Sequence, residues 1–166
     1  MGQAMEGKHV VITGPTAGIG KASALVLAAK GARLTFLCRN LKKGQEVADE
    51  IVAAGGLTPN VILMDMSRLD SVRSAANSVL DLGHPIDVLL NNAGLINSHR
   101  RETADGYEET LAVNHFAPFL LTGLLLPAIQ SAAPGARIVN VASGGHKFGR
   151  GMQFDDRKSC NEFSMF

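Results

Sequence analysis

The segment His9-Val-Val-Ile-Thr-Gly-Pro-Thr-Ala-Gly-Ile-Gly-Lys21 constrains the fold more than any other part of the chain. An apolar run of strand length enters a turn with glycine at 14, 18 and 20, and helical spacing begins directly behind it. Gly14 can turn sharply out of a strand. Gly18 lets another group approach the backbone closely, and Gly20 lets a helix pack tightly on the sheet. The first turn of that helix carries unpaired N–H groups and the positive end of its dipole, which suits an anion. Thr16 adds a hydroxyl, and Ile19 stands at the same turn. The spacing predicts a cradle for the pyrophosphate of a dinucleotide, although a ligand-free turn could use the same glycines. A P-loop is disfavoured, because Ala22 stands after Gly20-Lys21 where that motif needs serine or threonine.

Behind this turn the chain alternates. Strand-length apolar runs are Val10–Thr13, Leu34–Cys38, Val61–Met64, Val88–Leu90 and Ile138–Val141. Helical spacing covers Ile19–Lys30, Leu41–Ala54, Leu69–Leu82 and part of Thr103–Ala132. Strands that are apolar almost throughout, joined by helices, predict an α/β fold with a parallel sheet covered on both faces. Gly31 and Gly55-Gly56 end the first two helices. Ser67 and Asp70 offer acceptors at the start of the third, and Gly83-His84-Pro85 ends it. Residues 1–143 read as one dinucleotide-binding domain, and 144–166 as an irregular tail.

Composition limits the partners. Sixteen basic and fifteen acidic residues leave a formal charge of +1, so no overall field draws in nucleic acid or an anionic membrane. Apolar residues at 46% and charged residues at 19% describe an ordinary globular chain. The two cysteines, Cys38 and Cys160, match no metal spacing, and Cys38 ends a strand as a buried thiol would. No His/Cys/Asp cluster has metal-ligand spacing. Phe116 to Ile129, with Pro118 and Pro127, is read as too short to span a bilayer. These readings predict no integral membrane segment and a cytoplasmic or other reducing compartment. They leave peripheral membrane attachment open.

At the end of the second strand run stands Arg39, where a dinucleotide fold often carries an acid for the ribose hydroxyls. A guanidinium suits a 2′-phosphate through paired, charge-assisted bonds, which favours NADP(H) while leaving NAD(H) usable. A solvated arginine is the alternative reading.

Together these residues resemble the short-chain dehydrogenase/reductase family in its classical form. The Gly14-x-x-x-Gly18-x-Gly20 spacing matches, with Thr13 before it. Asp65 stands where the family uses an acid against the adenine ring. Asn91-Asn92-Ala93-Gly94 resembles the signature that stabilises the central sheet and lines the cofactor channel. Asn114 matches the family's helix asparagine, and Ser143, closing Arg137-Ile-Val-Asn-Val-Ala-Ser143, matches its catalytic serine. Cys38-Arg39-Asn40 and the surroundings of Asn114 and Ser143 look most like the retinol-dehydrogenase-like branch. The resemblance implies a Rossmann-type doubly wound sheet of about five strands, ordered 3-2-1-4-5. It also implies hydride transfer between NADP(H) and an apolar alcohol or carbonyl compound. Ser143 would hydrogen-bond the reacting oxygen, with Asn114 in support; a helix-cap serine is the other reading of Ser143.

The family's proton donor is the tyrosine of Tyr-x-x-x-Lys, in which the lysine ammonium lowers the phenol pKa. The one tyrosine, Tyr107, lies upstream of Ser143 and has Leu111 where the lysine should be. On the family spacing the catalytic tyrosine would fall just past Phe166, so the C-terminal part of the family fold is expected to be missing. A catalytically inactive binding or interaction module is the competing reading. Phe116, Phe119, Leu120, Leu121, Leu124, Leu125 and Leu126 make one helix apolar on more than one face. The family's dimers then imply a homodimer through Phe116–Ile129, which a stable monomer in sedimentation would refute. His115 and His146 read as packing or surface histidines.

Overall fold

The structure, a computed structural model, describes residues 4–147 and Asp155. Five strands form one parallel sheet: β1 (His9–Thr13), β2 (Arg33–Cys38), β3 (Asn60–Leu63), β4 (Val88–Asn91) and β5 (Arg137–Asn140). Their order is β3-β2-β1-β4-β5. The crossovers run through α1 (Gly18–Ala29), α2 (Leu41–Ala53), α3 (Leu69–Leu80) and α4 (Glu109–Gln130). This is the doubly wound sheet implied by the sequence. The reversal of strand order beside β1 opens a crevice at the carboxyl ends of β1 and β4.

Alternate side chains of the strands supply two cores. Val10, Ile12, Leu34 and Phe36 face α1 and α2, where they pack with Ala24, Ala28, Val47 and Ile51. Val11, Leu37 and Leu89 face the other way, toward α3 and α4, and meet Val72, Val79, Leu121 and Leu125. The period of two along a strand separates these sets, and both faces being dry explains why β1 is buried throughout. On α1 the packing positions are Gly20, Ala24 and Ala28, small enough to bring the helix axis close to the sheet. Among the described residues β3 and β5 are the edge strands, and Ile138 and Val139 of β5 are exposed.

Two sequence expectations change. The apolar run around Phe116 belongs to a longer helix of 22 residues, in which Pro118 comes just after the π-helical stretch Ala112–Phe116 and Pro127 lies on an exposed face. By length and composition alone α4 could cross a membrane. Here Ala117, Leu121, Leu125 and Ile129 are buried in the core, while Phe119, 76% exposed, and Leu126 point outward. The start of α3 is also built differently. Ser67 donates its hydroxyl to Asp65 instead of capping the helix, and Asp70 accepts from its neighbour Ser71 N. The acceptor for Leu69 N comes from Asp105, far along the chain. Residues 148–154 and 156–166, which hold most of the expected tail and Cys160, lie outside the described residues.

Candidate dinucleotide-binding site

A cleft of about 690 Å³ runs across the carboxyl ends of the strands, a size that fits a cofactor or drug-sized ligand. Its floor is the β1–α1 turn. Gly14 and Gly18 both adopt positive φ, at 65° and 52°. A Cβ on Gly14 would come within 3.0 Å of Ala93, whereas one on Gly18 would meet nothing within 4 Å. Gly18 therefore leaves backbone open to the cleft. Gly20 serves packing instead, since a Cβ there would run into the Gly14 carbonyl oxygen and the Asn92 side-chain amide. No side chain caps α1 and its first turn holds no acid, so its leading N–H groups face the cleft uncompensated. Thr16 and the largely exposed Ile19 line the same wall.

The turn is pinned from β4. Thr13 Oγ1 accepts from Asn92 N (3.0 Å) and Ala93 N (2.9 Å). Asn92 Nδ2 returns two bonds, to Thr13 O (3.0 Å) and Gly14 O (3.1 Å). Ala93 and Gly94 line the cleft. Asn91 is not among the lining residues. It is buried, and its Nδ2 donates to Asn140 Oδ1 on β5 (2.9 Å) and Thr122 Oγ1 on α4 (3.2 Å). Its place is the joint between two strands and a helix.

One end of the cleft is basic. Arg39 lines it and is exposed, and so is Lys43, one turn into α2, whose backbone N–H donates to the Asn40 side chain at the cap. Lys43 escaped the sequence reading, although its place in the first turn behind Arg39 was a usable signal. Thr13 and Asn92 were quoted there as motif members, but no pattern says where their polar atoms go. Cys38 beside Arg39 is buried, and burial pushes its thiol pKa up, so it stays a thiol. Asp65 lines the neighbouring wall, with Oδ1 accepting from Ser67 N (2.9 Å) and Ser67 Oγ (2.7 Å).

Asn114 sits in a five-residue π-helical stretch of α4, Ala112–Phe116. Its Nδ2 donates to Leu95 O (2.7 Å) and its Oδ1 accepts from Leu95 N (2.9 Å). The side chain is thus a brace under the loop that carries Gly94 and Leu95 along the cleft; Asn114 itself is not a lining residue. Ser143 follows β5 at the surface, beyond the lining residue Val141, and its Oγ accepts from Gly145 N (3.1 Å). Tyr107 stands outside the cleft, its ring 4.8 Å from that of Phe116. Among the described residues no group of three or more His, Cys, Asp or Glu side chains could hold a metal.

Comparison with known proteins places this geometry. The short chain dehydrogenase family profile matches residues 8–153. Human (Homo sapiens) retinol dehydrogenase 12 is 42% identical over 161 residues, which cover 96% of this chain and 50% of that protein. Human retinol dehydrogenase 11 is 44% identical over 147 residues, 88% of this chain and 46% of the relative. The chain therefore spans about half the length of the curated relatives it matches. Among solved structures, a metagenomic short-chain oxidoreductase in complex with NADP superposes with a TM-score of 0.74 at 35% identity. That match covers 84% of this chain and 63% of the other. The chain belongs to the short-chain dehydrogenase/reductase family, in its retinol-dehydrogenase-like branch.

Proposed function

We propose that the cleft binds NADP(H) in preference to NAD(H), and that the protein serves hydride transfer between that cofactor and an apolar alcohol or carbonyl compound. The observation that carries the cofactor choice is the basic end of the cleft, where Arg39 and Lys43 both line the wall behind β2. The residues fit the group. Gly14, Thr16, Gly18, Ile19 and Gly20 would hold the pyrophosphate against the open first turn of α1. Asp65 would meet the adenine, Ala93 and Gly94 would flank the adjoining channel, and Arg39 with Lys43 would take the 2′-phosphate. Asn91 and Asn114 would act from behind, by fixing β4 and the loop that leaves it.

The bound cofactor would supply the hydride chemistry. Ser143 would hydrogen-bond the substrate oxygen. A second reading, cofactor binding without turnover, is supported by Tyr107. The single tyrosine packs on Phe116 and does not line the cleft. Oxidation of NADPH by this chain with an apolar aldehyde would separate the two readings.

Titration with NADPH and NADH tests the cofactor choice. NADPH should bind the tighter, and Arg39→Ala should weaken NADPH about tenfold, the loss of one charge-assisted bond, while leaving NADH unchanged. Tighter NADH binding, or an unaltered NADPH affinity in Arg39→Ala, overturns the assignment.

A further inference from the structure

The loop of residues 94–107 leaves the cleft at Gly94 and returns to it indirectly. Its far end is a tight turn: Thr103 N donates to Tyr107 O, Gly106 N to Thr103 O, and Tyr107 N to Thr103 Oγ1. Gly106 takes a φ of 77° to close it. The turn is rooted on α4 by the Tyr107–Phe116 ring contact and by a bridge between Glu102 and Glu108. At its tip Asp105 reaches across to another element. Its Oδ2 accepts from Leu69 N at 2.9 Å, a link 36 residues apart in sequence.

Leu69 opens α3, and the residue before it, Arg68, provides no side-chain cap. Asp105 supplies from outside the carboxylate that helix N-termini otherwise take from their own cap residue. The same first turn fixes the cleft wall. Ser71 Oγ accepts from Asp65 N at 2.9 Å, and Arg68 N donates to Asp65 O at 3.1 Å. Asp65 therefore hangs from the end of α3 that Asp105 holds.

We infer that Asp105 is a positioning residue for the adenine end of the cleft, setting the place of Asp65 through the first turn of α3. The inference rests on the proposed NADP(H) reading. Asp105 is exposed, so its replacement leaves the core intact. An acid on the cleft wall favours the adenine amino group as a donor and disfavours the carbonyl that replaces it in hypoxanthine. Misplacing Asp65 should blunt that discrimination, whereas a general loosening would weaken both ligands alike.

The test measures the affinities of NADPH and of its hypoxanthine analogue on the full chain, as a ratio, for the wild type, Asp105→Ala and Asp105→Asn. Asp105→Ala should lower the ratio about threefold, the size of a lost exposed cap. Asp105→Asn, which keeps an acceptor oxygen, should hold most of it. Faster hydrogen exchange at the Leu69 amide in Asp105→Ala should accompany the change. An unchanged ratio in Asp105→Ala, or an asparagine variant that behaves like the alanine variant, overturns the inference. A wild type that binds NADPH without preferring it to the analogue also overturns it. A wild type that binds no NADPH removes the functional reading itself, and the inference with it.

Discussion

Gly20→Ala is the sharpest test of how the cleft floor is built. A methyl at position 20 would overlap the Gly14 carbonyl oxygen and the Asn92 amide nitrogen, and stand 3.0 Å from the Gly14 carbonyl carbon. Backbone cannot give way without moving β1 or α1. The Asn92 amide could swing out, but it holds Thr13 O and Gly14 O at 3.0 and 3.1 Å. Overpacking costs about 1–3 kcal/mol, and the two hydrogen bonds add about 1 kcal/mol each when lost. Swinging Asn92 out leaves the Gly14 carbonyl oxygen in the way, so backbone must shift in either case and the penalty is about 3 kcal/mol, the upper end for overpacking. Alanine returns up to about 1 kcal/mol in helix propensity. The penalty wins, leaving a net loss of about 2–3 kcal/mol. Urea unfolding followed by circular dichroism would read it as a lower midpoint at unchanged slope. A Gly20→Ala chain as stable as the wild type would refute the argument that α1 sits against Gly14 and Asn92 through this glycine.

Gly18→Ala should behave in the opposite sense. It meets no atom within 4 Å and carries only the strain of its positive φ, about 1–2 kcal/mol, so the fold should survive while NADPH affinity falls. Full NADPH affinity in a folded Gly18→Ala chain would remove the close-approach role. The pH dependence of stability should carry the mark of His9, whose ring is held by Pro85 O (3.1 Å) and Thr35 Oγ1 (2.9 Å). Burial pushes its pKa below the usual 6.5, so the unfolded chain takes up the proton first as pH falls. Stability is therefore full above about pH 6.5 and declines from there toward the depressed folded value, by at most about 1.4 kcal/mol per pH unit. His9→Gln should flatten that decline, and an equal slope in the variant would rule His9 out as its source.

The sequence carried the parallel sheet because apolar runs, glycines or caps, and helical spacing alternate along it, while the strand order came with the family resemblance. It also placed the cleft, since the glycine turn, Arg39, Asp65 and Ala93-Gly94 all stand at strand ends. What it missed depends on distance in space. The cap of α3 comes from Asp105 because the 94–107 loop folds back, and nothing near Leu69 in sequence announces it. Asn91 reads as a cofactor residue by its motif, yet one step of strand pleat turns it from the cleft toward Thr122 and Asn140, while Asn92 takes the inward place. Phe116–Ile129 was read as too short to span a bilayer because only its apolar run was counted, whereas the helix that holds it begins at Glu109.

At Asn114 a carboxylate cannot stand in for the side-chain amide. Its amide presents a donor and an acceptor to one peptide segment, Leu95 O at 2.7 Å and Leu95 N at 2.9 Å. Asn114→Ala loses both bonds, but the site is exposed and water can replace them, so the loss is about 1 kcal/mol. Asn114→Asp is closer in shape and should be worse at neutral pH. One carboxylate oxygen keeps Leu95 N, and the other then faces the Leu95 carbonyl with no proton between them. Protonation restores a donor at that point, so the folded state raises the introduced carboxyl's pKa. By linkage, the stability of Asn114→Asp relative to wild type should recover as pH falls through that raised value. Because Leu95 lines the cleft, NADPH affinity should recover in the same interval. Denaturation and NADPH titration from pH 7.5 to 5 would follow both. An aspartate variant more stable than the alanine variant at pH 7.5, with no pH-dependent recovery, would mean that Asn114 does not hold the loop by its donor.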